Sequence, residues 1–362
     1  MTGLGGGRAE SLQLFHITDD LYRLLDQPPN ALFEQKEPLW ITPEPKMPIV
    51  ELTYHLRDWS QGALLTGALG PPPGPAKPID DGRSAAPTLQ AWRPPGSLAL
   101  FFANPNGMTG VICRGRIRFK DDRPRANGSP KNVRDDRFGF EHMLIELDAK
   151  RDTPTVRIDF GGHIAGGVLE AVAHLYVFLP LPFLTARFRL KILGRNPTKD
   201  AIRKEIGRQA ALAGLGARVL DLWVICFLES RFRQFETHGD RRGEPLWNKP
   251  SGYGVMQLDP ASSAEQLWNW RENIKGGIRV YQDKLGQALI FMNRLRKKYP
   301  LAPPFTAREV RMEVFQLYNG GQFWGSWDGA QWQSIAGQTY AYRAERVRES
   351  VDKGVPPAEW ND

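Results

Sequence analysis

The hydrophobic period of this chain changes partway along, and that change restricts the folds open to it. Between residues 97 and 160 apolar side chains alternate as in strands, whereas from residue 198 onward they recur at helical spacing. Strands followed by helices predict an α+β protein in successive parts: a small N-terminal β-containing domain, then an all-α domain. A chain of 362 residues with 41% hydrophobic content is long enough for both parts to build a core.

The first part is read as a β-rich module over residues 1–165, interrupted by a Pro/Gly-rich linker near 70–96 that begins Gly70-Pro71-Pro72-Pro73. Strands are expected at 98–102, 110–113 and 116–119, joined by an Asn104-Pro105-Asn106-Gly107 turn. A second pair is expected at 140–147 and 155–160. Residues 168–184 form the most apolar stretch of the chain. It contains Glu170, His174, Pro180 and Pro182 and falls short of the roughly 20 clean apolar residues that span a bilayer. The stretch is expected to be a buried helix within an apolar and basic connecting segment, 166–197, that also carries Arg187, Arg189, Lys191 and Arg195. Membrane contact there is left open.

Residues 198–362 read as a helical domain. An amphipathic helix is expected over 200–213, ending near Gly214, and an apolar helix over 217–235. A long helix follows from about 273 to 299, stopped by Pro300. Ser262 with Glu265 and Thr306 with Glu309 have capping-box spacing, so helices should begin near residues 263 and 307. Asn319-Gly320-Gly321 supplies a left-handed stop to the last of these.

Four short segments then occur in order. Glu229-Ser230 ends the apolar run 222–228, Gly252-Tyr253-Gly254-Val255-Met256-Gln257-Leu258 follows, then Glu272-Asn273-Ile274-Lys275-Gly276-Gly277, then Tyr318-Asn319-Gly320-Gly321. A carboxylic acid emerging from an apolar helix has a raised pKa, because desolvation disfavours its charged form, and it can donate a proton near neutral pH. The order and composition of these segments resemble the soluble lytic transglycosylases of the lysozyme-like family. A fainter echo follows in Thr339-Tyr340-Ala341-Tyr342 with Val347.

That resemblance covers roughly residues 198–350 and implies a lysozyme-like fold that cleaves the MurNAc-GlcNAc bond of peptidoglycan. It implies that Glu229 acts as general acid and then as general base, taking the proton of the muramyl C6 hydroxyl to give a 1,6-anhydro product. Ser230 and Gln257 would bind substrate, with Met256 packed beneath Gln257. Tyr318 would hold Glu229 through its phenol, Asn319 would support the turn, Asn273 would cap its helix and Tyr342 would line the groove. The stretch between Glu229 and Gly254 is longer than the family pattern, and its Glu236, Asp240 or Glu244 could supply a second carboxylate that orients water. A lysozyme-type or chitinase-type glycoside hydrolase therefore stays open, as does a non-catalytic glycan-binding protein.

A formal net charge of +8 favours polyanionic partners, among which acidic cell-wall polymers need no further assumption and nucleic acid lacks an accompanying motif. Cys113 and Cys226 are expected as buried thiols, and neither they nor the six histidines show metal-ligand spacing, so no metal and no cofactor is implied. The first ten residues lack the apolar stretch of a signal peptide. The expectation is an enzyme acting in the periplasm or cell wall, delivered by a specialised secretion system or phage-like route. An antibacterial effector of that kind would meet a secretion-apparatus component and an immunity protein besides peptidoglycan strands.

Overall fold

The computed structural model describes residues 31–34, 38–47, 50–57, 64–69, 88–92, 110–119, 136–144, 155–158, 160, 163–176, 184–248, 252–259 and 264–361. Both helices and sheets are present: strands dominate up to Gly194, and helices dominate from Lys199 onward. The expected turn and strand at 98–107, most of the linker near 70–96 and the Ser262 cap lie outside the described residues; residues 88–92 of the expected linker form a strand instead.

Two sheets make up the first part. The larger is built from β1 (Ala31–Glu34), β2 (Leu39–Ile41), β6 (Gly110–Phe119), β7 (Asp136–Leu144), β9 (Gly167–Tyr176) and β10 (Leu184–Gly194), in the order β1-β10-β9-β6-β7 with β2 also pairing β10. The smaller joins β3 (Val50–Arg57), β4 (Leu64–Leu69), β5 (Thr88–Trp92) and β8 (Thr155–Ile158) in the order β5-β4-β3-β8. The large sheet shows the two-residue period of a half-buried strand. Ile117 and Phe119 of β6, Leu169 and Ala171 of β9, and Leu190 and Ile192 of β10 are buried. Arg116, Arg118, Glu170, Arg189 and Lys191 alternate with them.

Where it is described, the apolar segment at 168–184 is strand and not helix: residues 168–176 belong to β9 and Leu184 opens β10, and the two pair antiparallel from Gly167↔Ile192 to Leu175↔Leu184. The expected connecting segment 166–197 thus contributes two strands, Gly167–Tyr176 and Leu184–Gly194, to the larger sheet. The 140–147 and 155–160 strands do not pair with each other either, since β7 pairs β6 while β8 pairs β3 in the other sheet. The strands expected separately at 110–113 and 116–119 are one continuous β6.

The second part is a helical lobe of α1 (Lys199–Leu212), α2 (Val219–Ser230), α3 (Ala264–Trp268), α4 (Trp270–Lys298), α5 (Ala307–Asn319) and α6 (Tyr340–Asp352). Local chemistry fixes its boundaries. Thr198 caps α1 by accepting from Ala201 N at 3.2 Å. Thr306 and Glu309 form the full capping box of α5, whose far end closes on Gly320 at φ 102°. The long α4 starts at Asn269, whose side chain accepts from Arg271 N at 3.1 Å, so Asn273 is not its cap. α2 is almost wholly apolar and packs as the central rod of a core containing Leu222, Ile225, Ile274, Ile278, Phe315 and Ala341. Between α5 and α6 runs a short hairpin, β11 (Trp324–Trp327) and β12 (Trp332–Ser334).

A buried charge cluster ties this lobe together. Asp221, in the first turn of α2, accepts from Arg348 Nε at 2.9 Å and Tyr281 Oη at 3.1 Å, with Arg218 and Arg311 within 3.6 and 3.9 Å. Glu345 of α6 takes a two-bond grip from Arg311, at 2.6 and 2.9 Å. Four elements are joined by a few charged side chains. The lobe meets the β part where Trp270 Nε1 donates to Pro43 O at 2.8 Å and Phe119 packs edge-on to Trp268, ring centroids 5.3 Å apart.

Candidate active site

Glu229 lies in the last turn of α2, half-buried, at a cavity of about 300 Å³ lined also by Asn248, Gln257, Asp259, Lys284, Tyr318 and Asn319. Tyr340 Oη donates to Glu229 Oε1 at 2.6 Å. Burial pushes the Glu229 carboxyl above the ordinary glutamate value, opposed by the Tyr340 hydrogen bond and the charge of Arg343. Among the described residues it makes no ion pair. Desolvation therefore dominates, the condition under which a carboxyl stays available as a proton donor.

The backbone around this carboxyl is held in unusual conformations. Arg231, Phe232 and Gln257 are the only non-glycine residues with positive φ among those described, at 56°, 58° and 49°, and all three flank the site. Such conformations persist only where surroundings over-determine them, and they concentrate at functional sites. The surroundings do so here. Phe232 is buried in a ring cluster with Phe227 and Trp360, at centroid distances of 6.0 and 5.3 Å, while Arg231 stacks on Phe227 and pairs with Glu359 at 2.7 Å. The chain consequently turns sharply away just past Glu229.

Two buried amides clamp the facing loop, 252–258. Gln234 accepts from Val255 N at 2.9 Å and donates to Leu267 O at 2.7 Å. Asn273 accepts from Met256 N at 2.8 Å and donates to Tyr253 O and Gln266 O, both at 3.0 Å. Gly254, at φ +73°, leaves no room for a Cβ, which would lie 2.5 Å from Asn273 Nδ2. The Gly276-Gly277 pair has the matching role on α4: a Cβ on Gly277 would lie 2.5 Å from Met256, so the loop seats directly on the helix backbone.

Several candidate residues take positions other than those expected. The phenol on Glu229 belongs to Tyr340; Tyr318 instead donates to Met256 O at 2.8 Å while still lining the cavity. Ser230 is buried, with Oγ 2.8 Å from Val255 O and 3.0 Å from Cys226 O, so it braces the loop and has no surface to offer a substrate. Met256 is fully buried against α4 and is not among the cavity-lining residues. Tyr342 is half exposed but packs edge-on to Phe323, its Oη 3.2 Å from Ser334 Oγ, and is not among the cavity-lining residues.

Gln257 and Asn319 do line the cavity. The Gln257 amide is already half used: Oε1 accepts from Asn248 N at 2.9 Å and Nε2 donates to Gly254 O at 2.7 Å, leaving one N–H and one lone pair for a ligand. The three inserted carboxylates do not reach Glu229's cavity. Glu244 pairs with Arg241 at 3.3 Å and lines a different cavity, Asp240 sits exposed on the hairpin, and Glu236 faces Trp247 N at 3.5 Å. The hairpin 235–245, closed by the Phe235↔Pro245 bridge, directs them elsewhere.

The carboxylate that does share the cavity is Asp259, which the motif pattern did not single out, and Lys284 lines it too. Asp259 follows directly on the Met256-Gln257-Leu258 segment. Its sequence neighbourhood carried no signal of this, since only the fold brings it to the cavity. Cys226 is a buried thiol whose pKa burial drives upward, and it takes no part in the cavity.

Compared with protein-family models, with curated proteins and with solved structures, the chain matches none.

Proposed function

We propose that this protein is a lysozyme-like lytic transglycosylase that cuts the MurNAc-GlcNAc β-1,4 bond of peptidoglycan, with Glu229 as the acid and base. The observation that carries the proposal is a half-buried glutamate with a raised pKa and no ion pair, oriented by a phenol at the rim of a sugar-sized cavity. Protonated Glu229 gives its proton to the glycosidic oxygen as that bond breaks. The developing positive charge on the muramyl ring is met by the substrate's own N-acetyl group, and the Glu229 carboxylate then takes the C6 hydroxyl proton as that oxygen closes on C1. Tyr340 keeps the carboxyl aimed through both steps. Gln257 and Asn319 offer the amides suited to N-acetyl and hydroxyl groups.

On this reading the helical lobe is the lysozyme-like catalytic domain and acts at the cell wall, with glycan strands as partner. The β part serves delivery, docking or wall binding. No cofactor is called for by the chemistry. A second reading is favoured by one observation: Asp259 lines the same cavity, and a carboxylate there could orient a water and make the enzyme a hydrolase.

Mass spectrometry of products from purified peptidoglycan tests both readings. Transglycosylation leaves 1,6-anhydro-muramyl ends; hydrolysis leaves reducing ends that borohydride reduces. If reducing ends appear, their loss in Asp259→Asn would identify the second group. Release of no soluble product by the folded protein would remove both readings.

A further inference from the structure

A second cavity, of about 230 Å³, opens between the outer face of the six-stranded sheet and the segment around Trp268, away from Glu229. Arg118, Val168, Glu170, Arg189, Lys191 and Glu244 are among the residues lining it. The register explains their grouping. Val168 of β9 stands opposite Arg118 of β6 on one side and Lys191 of β10 on the other, and one step along the same face Glu170 stands between Arg116 and Arg189.

The second row is neutralised within itself, because Glu170 pairs with Arg116 at 3.3 Å and with Arg189 at 3.9 Å. Glu244 is engaged by Arg241 at 3.3 Å. The first row is not neutralised: neither Arg118 nor Lys191 has an acidic partner among the described residues, and Arg118 Nε is buried without a hydrogen-bond acceptor. A buried guanidinium nitrogen left unpaired is costly, and such groups are rare unless an ion or ligand completes them.

The strand geometry also fits a small anion. Two strand spacings separate the Arg118 and Lys191 backbones by roughly 9.5 Å, with half-buried Val168 as an apolar floor between. Gly167, at φ +122°, brings β9 so near the Arg118 carbonyl that a Cβ would lie 2.1 Å from it, so the sheet keeps this corner free of side chain.

We propose that this cavity binds a phosphoryl group between Arg118 and Lys191. A guanidinium fork takes two oxygens and an ammonium a third, and the two uncompensated positive charges match the roughly −1.5 to −2 charge of a phosphate monoester at neutral pH. Trp268 and Phe119, packed edge-on, wall the site on the lobe side. The site is independent of the chemistry at Glu229.

Titration calorimetry of inorganic phosphate into the full chain, at constant ionic strength set with chloride, tests the assignment. The expected result is one saturable site, weakened at least tenfold in Arg118→Gln/Lys191→Gln and unchanged in Arg296→Gln/Lys297→Gln, which removes exposed charges of α4 instead. Lys191→Gln alone, at an exposed side chain, keeps the test sound if the double variant does not fold, and is expected to weaken binding severalfold. Phosphate binding displaced by phosphatidylglycerol vesicles would assign the group to a lipid headgroup; binding that vesicles leave untouched would assign it to a soluble phosphorylated ligand. Equal affinity in Lys191→Gln and wild type, no saturable heat above chloride, or loss of binding in Glu229→Gln would overturn the site.

Discussion

Helix α2 carries one acidic residue near each end, and the two have opposite surroundings. Asp221 is enclosed by Arg218, Arg311, Arg348 and the Tyr281 phenol, so its burial is compensated on every side. Glu229 has a phenol, no ion pair among the described residues, and an open cavity. The same apolar helix thus fixes one carboxylate as a structural joint and, under the proposed function, holds the other as the proton donor. Burial alone does not distinguish a catalytic acid from a structural one; the partners do.

The largest expected effect is on chemistry at the second end. Glu229→Gln keeps the shape and the Tyr340 contact but cannot donate the proton, so muropeptide release should fall by about 10²–10⁴-fold. Turbidity loss of purified cell walls measures it. At the first end the effect is on folding: Asp221→Ala strands three arginines around an empty position and should cost about 3–5 kcal/mol, read by urea denaturation. If Asp221→Ala were harmless to stability, the contrast between the two ends would collapse.

A smaller loss is expected at the clamp between loop and helix. Asn273→Ala leaves the Met256 amide and the Tyr253 carbonyl unpaired in the interior and should destabilise by about 1–3 kcal/mol, with activity lost alongside as Gln257 drifts. Smaller again is Tyr340→Phe. The phenol hydrogen bond lowers the Glu229 pKa, so its removal should move the alkaline limb of the pH-rate profile to higher pH while leaving the fold intact.

The two kinds of carboxylate should also separate in the pH dependence of stability. Glu229's folded pKa is raised, so its contribution is full below the unfolded value and is lost as pH rises through the folded one. Burial pushes Glu345 up, but its bonds to Arg311 and the charges of Arg311 and Arg308 leave it lowered. Its contribution is present above the unfolded value and lost as pH falls through the folded one. Glu229→Gln should accordingly match wild type in melting temperature in acid and exceed it slightly on the alkaline side. A wild type more stable than Glu229→Gln at alkaline pH would reverse the sign.

How much of this was legible in the sequence follows from how local each determinant is. The boundaries of α5 were readable because Thr306 with Glu309, and Gly320, act within a turn of their own positions, and α1 was placed to within a residue at each end by its amphipathic period and Gly214. Glu229 and the Gly254 and Gly277 contacts were marked by short segments in order. β9 was misread because Val168, on the outer face beside Glu170, is apolar like the inward Leu169, which blurs the two-residue period into a run that also suits a buried helix. Tyr340 and Tyr318 could not be ranked from sequence, since their hydroxyl partners lie 111 and 62 positions away in the chain. Asp259 and Gln234 were missed for the same reason: their roles depend on which segments the lobe brings together.

The most direct test of the account is the titration of Glu229 itself. Carbon-13 NMR of the full-length protein, with its carboxyl resonance assigned by the signal missing from Glu229→Gln, gives the midpoint. The expected midpoint lies above the ordinary glutamate value of about 4.3 and moves higher still in Tyr340→Phe. A midpoint at or below the ordinary value would mean that Glu229 is ionised near neutral pH, and the proposed assignment of the acid would be wrong.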